Sequence, residues 1–306
     1  MRNCFIIAEA GVNHNGSDKI ALELVEAAAK SGADAVKFQS FKAKNLASKE
    51  ASTAEYQKLQ TSENSQLDML RKLEISEELH IKLIAKCAQL GIEFLSTPFD
   101  IDIAKYLLDL GMKRIKIPSG ELTNIPFIKK LAGFDVPIIL STGMSSLKEV
   151  NDAVNAIKLV RQDKNFYRPL NQMLTVLHCT SNYPAKYEDI NLSAMKTMER
   201  ELEVPIGYSD HSKGFFVSVS AVALGAILIE KHFTLDKEMF GPDHLASINP
   251  NELKEMVNQI RSIEKCLGNG IKVPTESELP VRDLVRRSIV MAKDKKAGDV
   301  IELSDL

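Results

Sequence analysis

Eight short runs rich in β-branched and other apolar residues recur along the chain, and the segments between them carry apolar residues at helical spacing. The strand candidates are Phe5–Val12, Ala35–Phe41, Glu93–Phe99, Arg114–Ser119, Pro137–Gly143, Leu174–Thr180, Pro205–His211 and Ile227–Thr234. Helices are expected to begin near Ser17, Ser76, Asp100, Asn124, Ser146, Leu192, Phe215 and Asn251. Such alternation builds a parallel sheet, because parallel neighbours need a long crossover and a helix supplies it. Ser76 is followed three residues later by Leu79, so it lacks a full capping box yet remains a good N-cap. Gly32, Gly91 and Gly111 stand where left-handed residues close helices. The eight units end near Gly268, and about 250 residues is typical of a (β/α)8 barrel.

The expected fold is therefore α/β, a TIM barrel over residues 1–268 with a C-terminal extension over residues 269–306. An open doubly wound sheet competes, but the first strand lacks the GxGxxG turn that would support a dinucleotide site. Lys42–Ile75 is a long polar connection containing Tyr56, Gln60 and Gln66. Connections of this length are often functional, so a lid over the barrel mouth and a tolerated insertion both stay open.

Bulk composition excludes several classes. With 44% hydrophobic and 26% charged residues the chain is an ordinary globular protein. Its formal net charge of −2 argues against a nucleic-acid partner, so an anionic ligand must be met by locally placed lysines. The four cysteines are far apart, form no CxxC pair and are expected to be reduced thiols. No stretch approaches the roughly 18 apolar residues of a membrane span. Met1-Arg2-Asn3-Cys4 runs straight into a strand-like segment, so no membrane partner and a cytoplasmic location are expected.

Strands of a parallel barrel are covered on both faces, so ionisable residues within them need a reason. Glu9 lies in the first strand, Lys37 and Gln39 alternate in the second, Lys116 lies in the fourth, and Glu230 and His232 alternate in the eighth. Residues two apart share a face. Barrel enzymes place their chemistry at the C-terminal ends of strands, where Ser119, Glu121, Ser141, Ser209 and His211 also fall. A structural network of buried ion pairs is the alternative.

Lys37 and Lys116, with hydroxyls from Thr97, Ser119, Ser141 and Ser209, make a cradle for a phosphate or carboxylate. Pairing with Glu9 or Glu121, or a lysine that forms a Schiff base, would use the same residues differently. Of the six histidines, His211 and His232 end adjacent strands, so their imidazoles can meet at one ion. Two neutral nitrogens with oxygen ligands suit Mn²⁺ or Mg²⁺-like ions as well as Zn²⁺, and satisfied core histidines are the bland alternative. His14, His178 and His244 are expected beside the site or facing substrate, and His80 on a helix surface.

Nine segments together resemble the N-acetylneuraminate (sialic acid) synthase family: Glu9-Ala10-Gly11-Val12-Asn13-His14-Asn15-Gly16, Val36-Lys37-Phe38-Gln39, Ser96-Thr97-Pro98-Phe99, Lys116-Ile117-Pro118-Ser119-Gly120-Glu121, Ser141-Thr142-Gly143-Met144, His178-Cys179-Thr180, Tyr208-Ser209-Asp210-His211, Glu230-Lys231-His232-Phe233-Thr234 and Gly241-Pro242-Asp243-His244. The match covers nearly the whole chain. The resemblance implies a TIM barrel followed by an antifreeze-like (SAF) domain. It implies condensation of phosphoenolpyruvate with the open-chain aldehyde of N-acetylmannosamine; a diacetamido-trideoxy sugar, giving legionaminic acid, is the alternative, and pseudaminic acid is disfavoured.

By position, the resemblance makes His211 and His232 metal ligands, for Mn²⁺ first with Mg²⁺ or Co²⁺ as alternatives. It assigns Lys37, Thr97, Lys116, Ser119, Ser141, Ser181 and Ser209 to phosphoenolpyruvate. Gln39, Tyr183 and Asp243 would face the sugar, and Glu9, Glu121 and Glu230 would serve the water and proton transfers. A homodimer is the family expectation. Arg286-Arg287-Ser288-Ile289-Val290 and Lys295-Lys296-Ala297-Gly298-Asp299-Val300-Ile301 look like the opening of the SAF domain, but the chain ends at Leu306, before the arginine that domain would send to a partner's sugar site. A Schiff-base pyruvate aldolase and a non-catalytic binding protein are the more distant alternatives.

Overall fold

The computed structural model describes residues 3–46 and 65–306, so Tyr56 and Gln60 of the long connection lie outside the described residues. The strands are β1 Phe5–Gly11, β2 Ala35–Ser40, β3 Glu93–Pro98, β4 Ile115–Ile117, β5 Ile138–Ser141, β6 Leu174–Cys179, β7 Ile206–Asp210 and β8 Leu228–His232. All run parallel in one sheet ordered β3-β2-β1-β8-β7-β6-β5-β4. β3 and β4 lie side by side without a hydrogen-bonded ladder. Arg114 spans that seam, donating to Glu93 from Nε and a terminal nitrogen at 2.7 and 2.9 Å. The result is a (β/α)8 barrel, closed except for one ladder. The β4 strand ends sooner than the sequence suggested because Pro118 has no N–H for a ladder, and Ser119–Glu121 continue as a 3-10 turn.

Eight helices flank the strands: α1 Asp18–Lys30, α2 Glu77–Leu90, α3 Ile101–Asp109, α4 Ile125–Ala132, α5 Leu147–Asp163, α6 Ala194–Leu202, α7 Phe216–Ala223 and α8 Pro250–Cys266. Ser17, Ser76, Asp100, Asn124 and Ser146 each cap their helix by accepting a backbone N–H. The helix expected near Leu192 begins at Ala194, and the one expected near Asn251 begins at Pro250, where Asn249 and Glu252 form a full capping box. Of the long connection, the short helices Ala43–Leu46 and Gln66–Lys72 are described. Met69 of the latter and Leu73 just after it pack with Val12 and Phe41 in a small apolar cluster separate from the main core.

His80 is not a surface residue. It is 4% exposed: its Nε2 lies 2.7 Å from Ser40 Oγ, its Nδ1 lies 3.0 Å from the Ser76 carbonyl, and its ring meets Phe94 and Tyr106 edge-on. It shares the buried stripe of its helix with Leu83 and Cys87, and its polar type is accommodated there because Ser40, itself paired with Ser96, gives it a partner. Burial pushes His14, His80 and His244 down to about 4. The unfolded chain would protonate them near 6.5, so their contribution is fully present above that pH and is lost as pH falls toward 4, at about 1.4 kcal/mol per pKa unit for each ring. The thermal midpoint is therefore expected to fall steeply between pH 6.5 and pH 4, and less so in His80→Phe; a flat midpoint over that range would contradict the burial.

Residues 268–306 form a second compact unit. It holds the short helix Leu279–Val285, and its one buried side chain, Asp305, pairs with Lys295 at 2.6 Å. The four cysteines are free thiols, Cys266 exposed and the others buried. Among the described residues no helix is long and apolar enough to cross a membrane.

Candidate active site

Strand register places the polar residues in one layer: Glu9 is level with Lys37 on one side and His232 on the other, and Ser209 is level with Glu230. Lys37 Nζ lies 2.5 Å from Glu9, donates to Thr97 Oγ1 at 3.0 Å and lies 3.6 Å from Glu230. Lys116 Nζ donates to Ser141 Oγ at 2.7 Å and lies 3.5 Å from the other Glu230 oxygen, which also accepts from Ser209 at 3.1 Å. The pairing partner of Lys116 is thus Glu230 and not Glu121. All four charged residues are at most 6% exposed.

Burial sets their titration. It drives Glu9 upward, reinforced by Glu230 and opposed by Lys37. It would do the same to Glu230, but Lys116 and Lys37 on its two oxygens hold that carboxylate below its ordinary value. Two carboxylates pushed apart in this way are suited to different work, one exchanging a proton and one staying ionised. Lys116 is lowered by burial, whereas in Lys37 the two glutamates outweigh burial and raise it.

At the strand ends a cavity of about 320 Å³ is lined by Glu9, Lys37, Gln39, Thr97, Lys116, Ser119, Ser141, Ser181, Tyr183, Ser209, His211, Glu230 and His232. An adjoining cavity of about 190 Å³ shares Gln39, Tyr183 and His232 and adds Asp243 with Val12, Met69, Leu70, Leu73 and Pro242. Every residue given a catalytic, substrate or metal role from the sequence lines one of the two, except Glu121; His14, His178 and His244 line neither. The Glu121 carboxylate accepts from Asn124 Nδ2 at 2.7 Å, because the 3-10 turn after Pro118 carries it away from the barrel axis and toward the start of α4.

His211 and His232 lie with ring centroids 5.5 Å apart. The Nδ1 of His211 sits 2.7 Å from the Thr180 carbonyl, which can only accept, so Nδ1 carries the proton and Nε2 presents a lone pair near Tyr183 Oη at 3.2 Å. Burial lowers His211, and burial together with His211 and Lys37 lowers His232 well below the ordinary histidine value, so both rings are neutral. His232 Nδ1 is buried without a hydrogen-bond partner, the kind of group that an ion or water must explain. An ion about 2.1 Å from a nitrogen of each ring is compatible with that centroid spacing. Among the described residues no cluster of three or more His, Cys, Asp or Glu has ligand geometry. The two imidazoles could hold a hard ion, and its other positions would fall to oxygen from substrate or water.

Five contributors were given no role from the sequence, although each stands in one of the quoted segments. Phe99 and Met144 line the main cavity. Thr180 acts through its carbonyl, which has no side-chain signature. Asp210 and Lys231 form a fully buried pair at 3.3 Å on the outer strand face, and Asp210 also accepts from the backbone N–H and hydroxyl of Ser212, bracing the strand end that carries His211. Strict alternation places these two residues opposite Ser209 and His232, which is the signal that would have found them. Of the remaining histidines, His178 Nε2 sits 2.7 Å from the Ile190 carbonyl and His244 Nδ1 sits 2.7 Å from Thr234 Oγ1.

A parallel barrel with paired lysines, paired glutamates and two neutral imidazoles at the C-terminal ends of its strands has the architecture of a barrel enzyme with an anion pocket. Comparison with known proteins narrows that class. The NeuB family profile matches residues 24–272. An N,N'-diacetyllegionaminic acid synthase from Legionella pneumophila is 52% identical over 99% of this chain and 84% of its own length. One of the same name from Campylobacter jejuni is 49% identical over 100% of this chain and 90% of its own. A solved N-acetylneuraminic acid (sialic acid) synthetase from Leptospira borgpetersenii, in complex with citrate, superposes with a TM-score of 0.80 at 33% identity over 94% of each chain. The chain belongs to the NeuB family, and it is an enzyme of the nonulosonic acid synthase class, which forms carbon–carbon bonds.

Proposed function

We propose that this enzyme condenses phosphoenolpyruvate with a 2,4-diacetamido-2,4,6-trideoxymannose, yielding a legionaminic-type acid and phosphate, with N-acetylmannosamine as the second reading. The observation that carries the condensation is the single cavity in which Lys37 and Lys116 stand beside His211 and His232. The acceptor preference is supported by the two relatives named for legionaminic acid at 52% and 49% identity, against 33% for the sialic acid synthetase. The wall of Val12, Met69, Leu70 and Leu73 beside Asp243 also suits it, since a 6-deoxy sugar ends in a methyl group where N-acetylmannosamine has a hydroxyl.

Lys37, Lys116 and the hydroxyls of Thr97, Ser119, Ser141, Ser181 and Ser209 bind the phosphate and carboxylate of phosphoenolpyruvate. Gln39, Tyr183 and Asp243 orient the open-chain sugar. His211 and His232 would hold a divalent ion, Mn²⁺ first with Mg²⁺ or Co²⁺ as alternatives, which would supply Lewis-acid polarisation of the aldehyde oxygen. C3 of the enol phosphate forms the new bond to the aldehyde carbon, and positive charge develops at C2. Glu230, kept ionised, lies near that charge. Glu9, raised toward neutrality, takes a proton from the water that adds to C2. Cleavage of the C2–O bond then releases phosphate, which the two lysines stabilise. A homodimer, and an antifreeze-like character for residues 269–306, are proposed with this reading.

Phosphate release from phosphoenolpyruvate with Mn²⁺ and a panel of amino sugars tests it. The diacetamido sugar is expected to give the highest kcat/KM; selective turnover of N-acetylmannosamine would shift the assignment to sialic acid, and no release with any sugar would end the condensation proposal. Lys37→Ala and Lys116→Ala should each weaken phosphoenolpyruvate binding by about 10- to 100-fold, the worth of a charge-assisted contact, while changing sugar binding far less. Calorimetry showing equal losses for both substrates would contradict the lysine assignment.

A further inference from the structure

Gly143 follows β5 and is buried, and its surroundings are unusual for a packing glycine. A Cβ at this position would stand 2.1 Å from Ser181 Oγ, 2.9 Å from Ser119 Oγ and 3.1 Å from Cys179 Sγ. Gly207 provides the contrast: there a Cβ would meet Leu177 Cδ2 and the Leu228 backbone oxygen at 2.5 Å, so the position is small for packing. Around Gly143 every close atom is instead the polar end of a side chain. Two of those side chains, Ser119 and Ser181, line the main cavity. Side-chain rotation relieves the crowding, so an alanine is compatible with the fold but displaces the hydroxyls from where they now point.

The hydrogen bonds around Ser119 give these neighbours a purpose. Gly143 N–H donates to Ser119 Oγ at 2.9 Å, and Cys179 Sγ lies 3.2 Å from the same oxygen. A hydroxyl has two lone pairs and one proton. Either group can donate across the Ser119–Cys179 contact; with the amide on one lone pair and the thiol proton on the other, the Ser119 proton is left to donate elsewhere, and the lysine-lined cavity is the space beside it. Cys179 is 5% exposed and sits at the end of β6, where a thiol has no other described role.

We propose that Gly143 and Cys179 are positioning residues for the anion pocket: together they orient the Ser119 hydroxyl as a donor, and the missing side chain of Gly143 leaves room for Ser181 beside it. This rests on the phosphoenolpyruvate reading above and adds to it residues that act through others without touching substrate.

The test is a cycle of Gly143→Ala, Ser119→Ala/Ser181→Ala and the combination. Phosphoenolpyruvate affinity is read by calorimetry, turnover by phosphate release with Mn²⁺, and folding by the thermal midpoint. Gly143→Ala is expected to weaken phosphoenolpyruvate by about 10- to 100-fold, the loss of one or two charge-assisted hydrogen bonds, with the acceptor KM within about threefold. In the background lacking both hydroxyls the same substitution should cost about threefold or less, because the groups it displaces are gone. Unchanged affinity in Gly143→Ala, or an equal loss in both backgrounds, would overturn the proposal. Should Gly143→Ala fail to fold, Cys179→Ala and Cys179→Ser decide it. Alanine should weaken phosphoenolpyruvate by a few-fold and serine, which also donates, should restore it; equal affinities in the two would overturn the role of the thiol. Calorimetric affinity does not depend on turnover, so intact binding without phosphate release would sink the condensation reading alone.

Discussion

His211→Ala and His232→Ala are each expected to lower phosphate release from phosphoenolpyruvate by at least about a thousandfold, since Lewis-acid stabilisation is worth several kcal/mol and every 1.4 kcal/mol is about tenfold in rate. Neither ring is needed to neutralise a charge. Both are neutral in the fold, and their edges line the cavity, so the thermal midpoint should move by only a few degrees. His211→Ala also frees the Thr180 carbonyl that now receives its Nδ1 proton, and the added solvation at the cavity wall keeps that cost small. Each loss of rate should be specific to turnover, with phosphoenolpyruvate affinity falling far less. Full activity in either variant would remove the assignment of these rings.

Glu230→Ala is expected to produce the largest loss of stability among the site variants. The Glu230 carboxylate sits between the two lysines, 3.6 Å from Lys37 and 3.5 Å from Lys116, and both ammonium groups are buried. Its removal leaves two buried positive charges facing Glu9 alone. Breaking a buried pair by deleting one partner costs about 3–5 kcal/mol, which in a chain of this size lowers the midpoint by roughly 10 °C. Inorganic phosphate or phosphoenolpyruvate should restore more of the midpoint in Glu230→Ala than it adds to the unaltered enzyme, because the anion replaces the missing charge. A midpoint unmoved by the substitution, or equal stabilisation of both proteins by phosphate, would contradict this electrostatic account.

The barrel was legible because its two periodicities leave separate marks: β-branched runs for the strands, and Ser17, Ser76, Asp100, Asn124 and Ser146 as helix starts. The candidate site was legible for a related reason. Glu9, Lys37, Lys116, Glu230 and His232 are charged or ionisable where a parallel strand wants apolar residues, and the barrel brings their faces together. What escaped was set by tertiary contact and not by pattern. His80 is a polar residue on the Leu83 and Cys87 stripe of its helix, and the Ser40 hydroxyl on β2 is the partner that lets it be buried there. Glu121 sits three residues beyond Pro118, which ends the β4 ladder, and the turn that follows commits its carboxylate to Asn124. Thr180 contributes a carbonyl, which any residue type supplies. Gly143 matters through the side chain it lacks, and only coordinates show what that space holds.

Manganese binding read by electron paramagnetic resonance, on the unaltered enzyme and on His211→Ala, tests the two-imidazole site most directly. One Mn²⁺ per chain is expected in the former, with nitrogen hyperfine coupling from imidazole, and no comparable binding in the latter. Equal stoichiometry and affinity in both, or a bound ion with no nitrogen coupling, would show that the cation sits elsewhere.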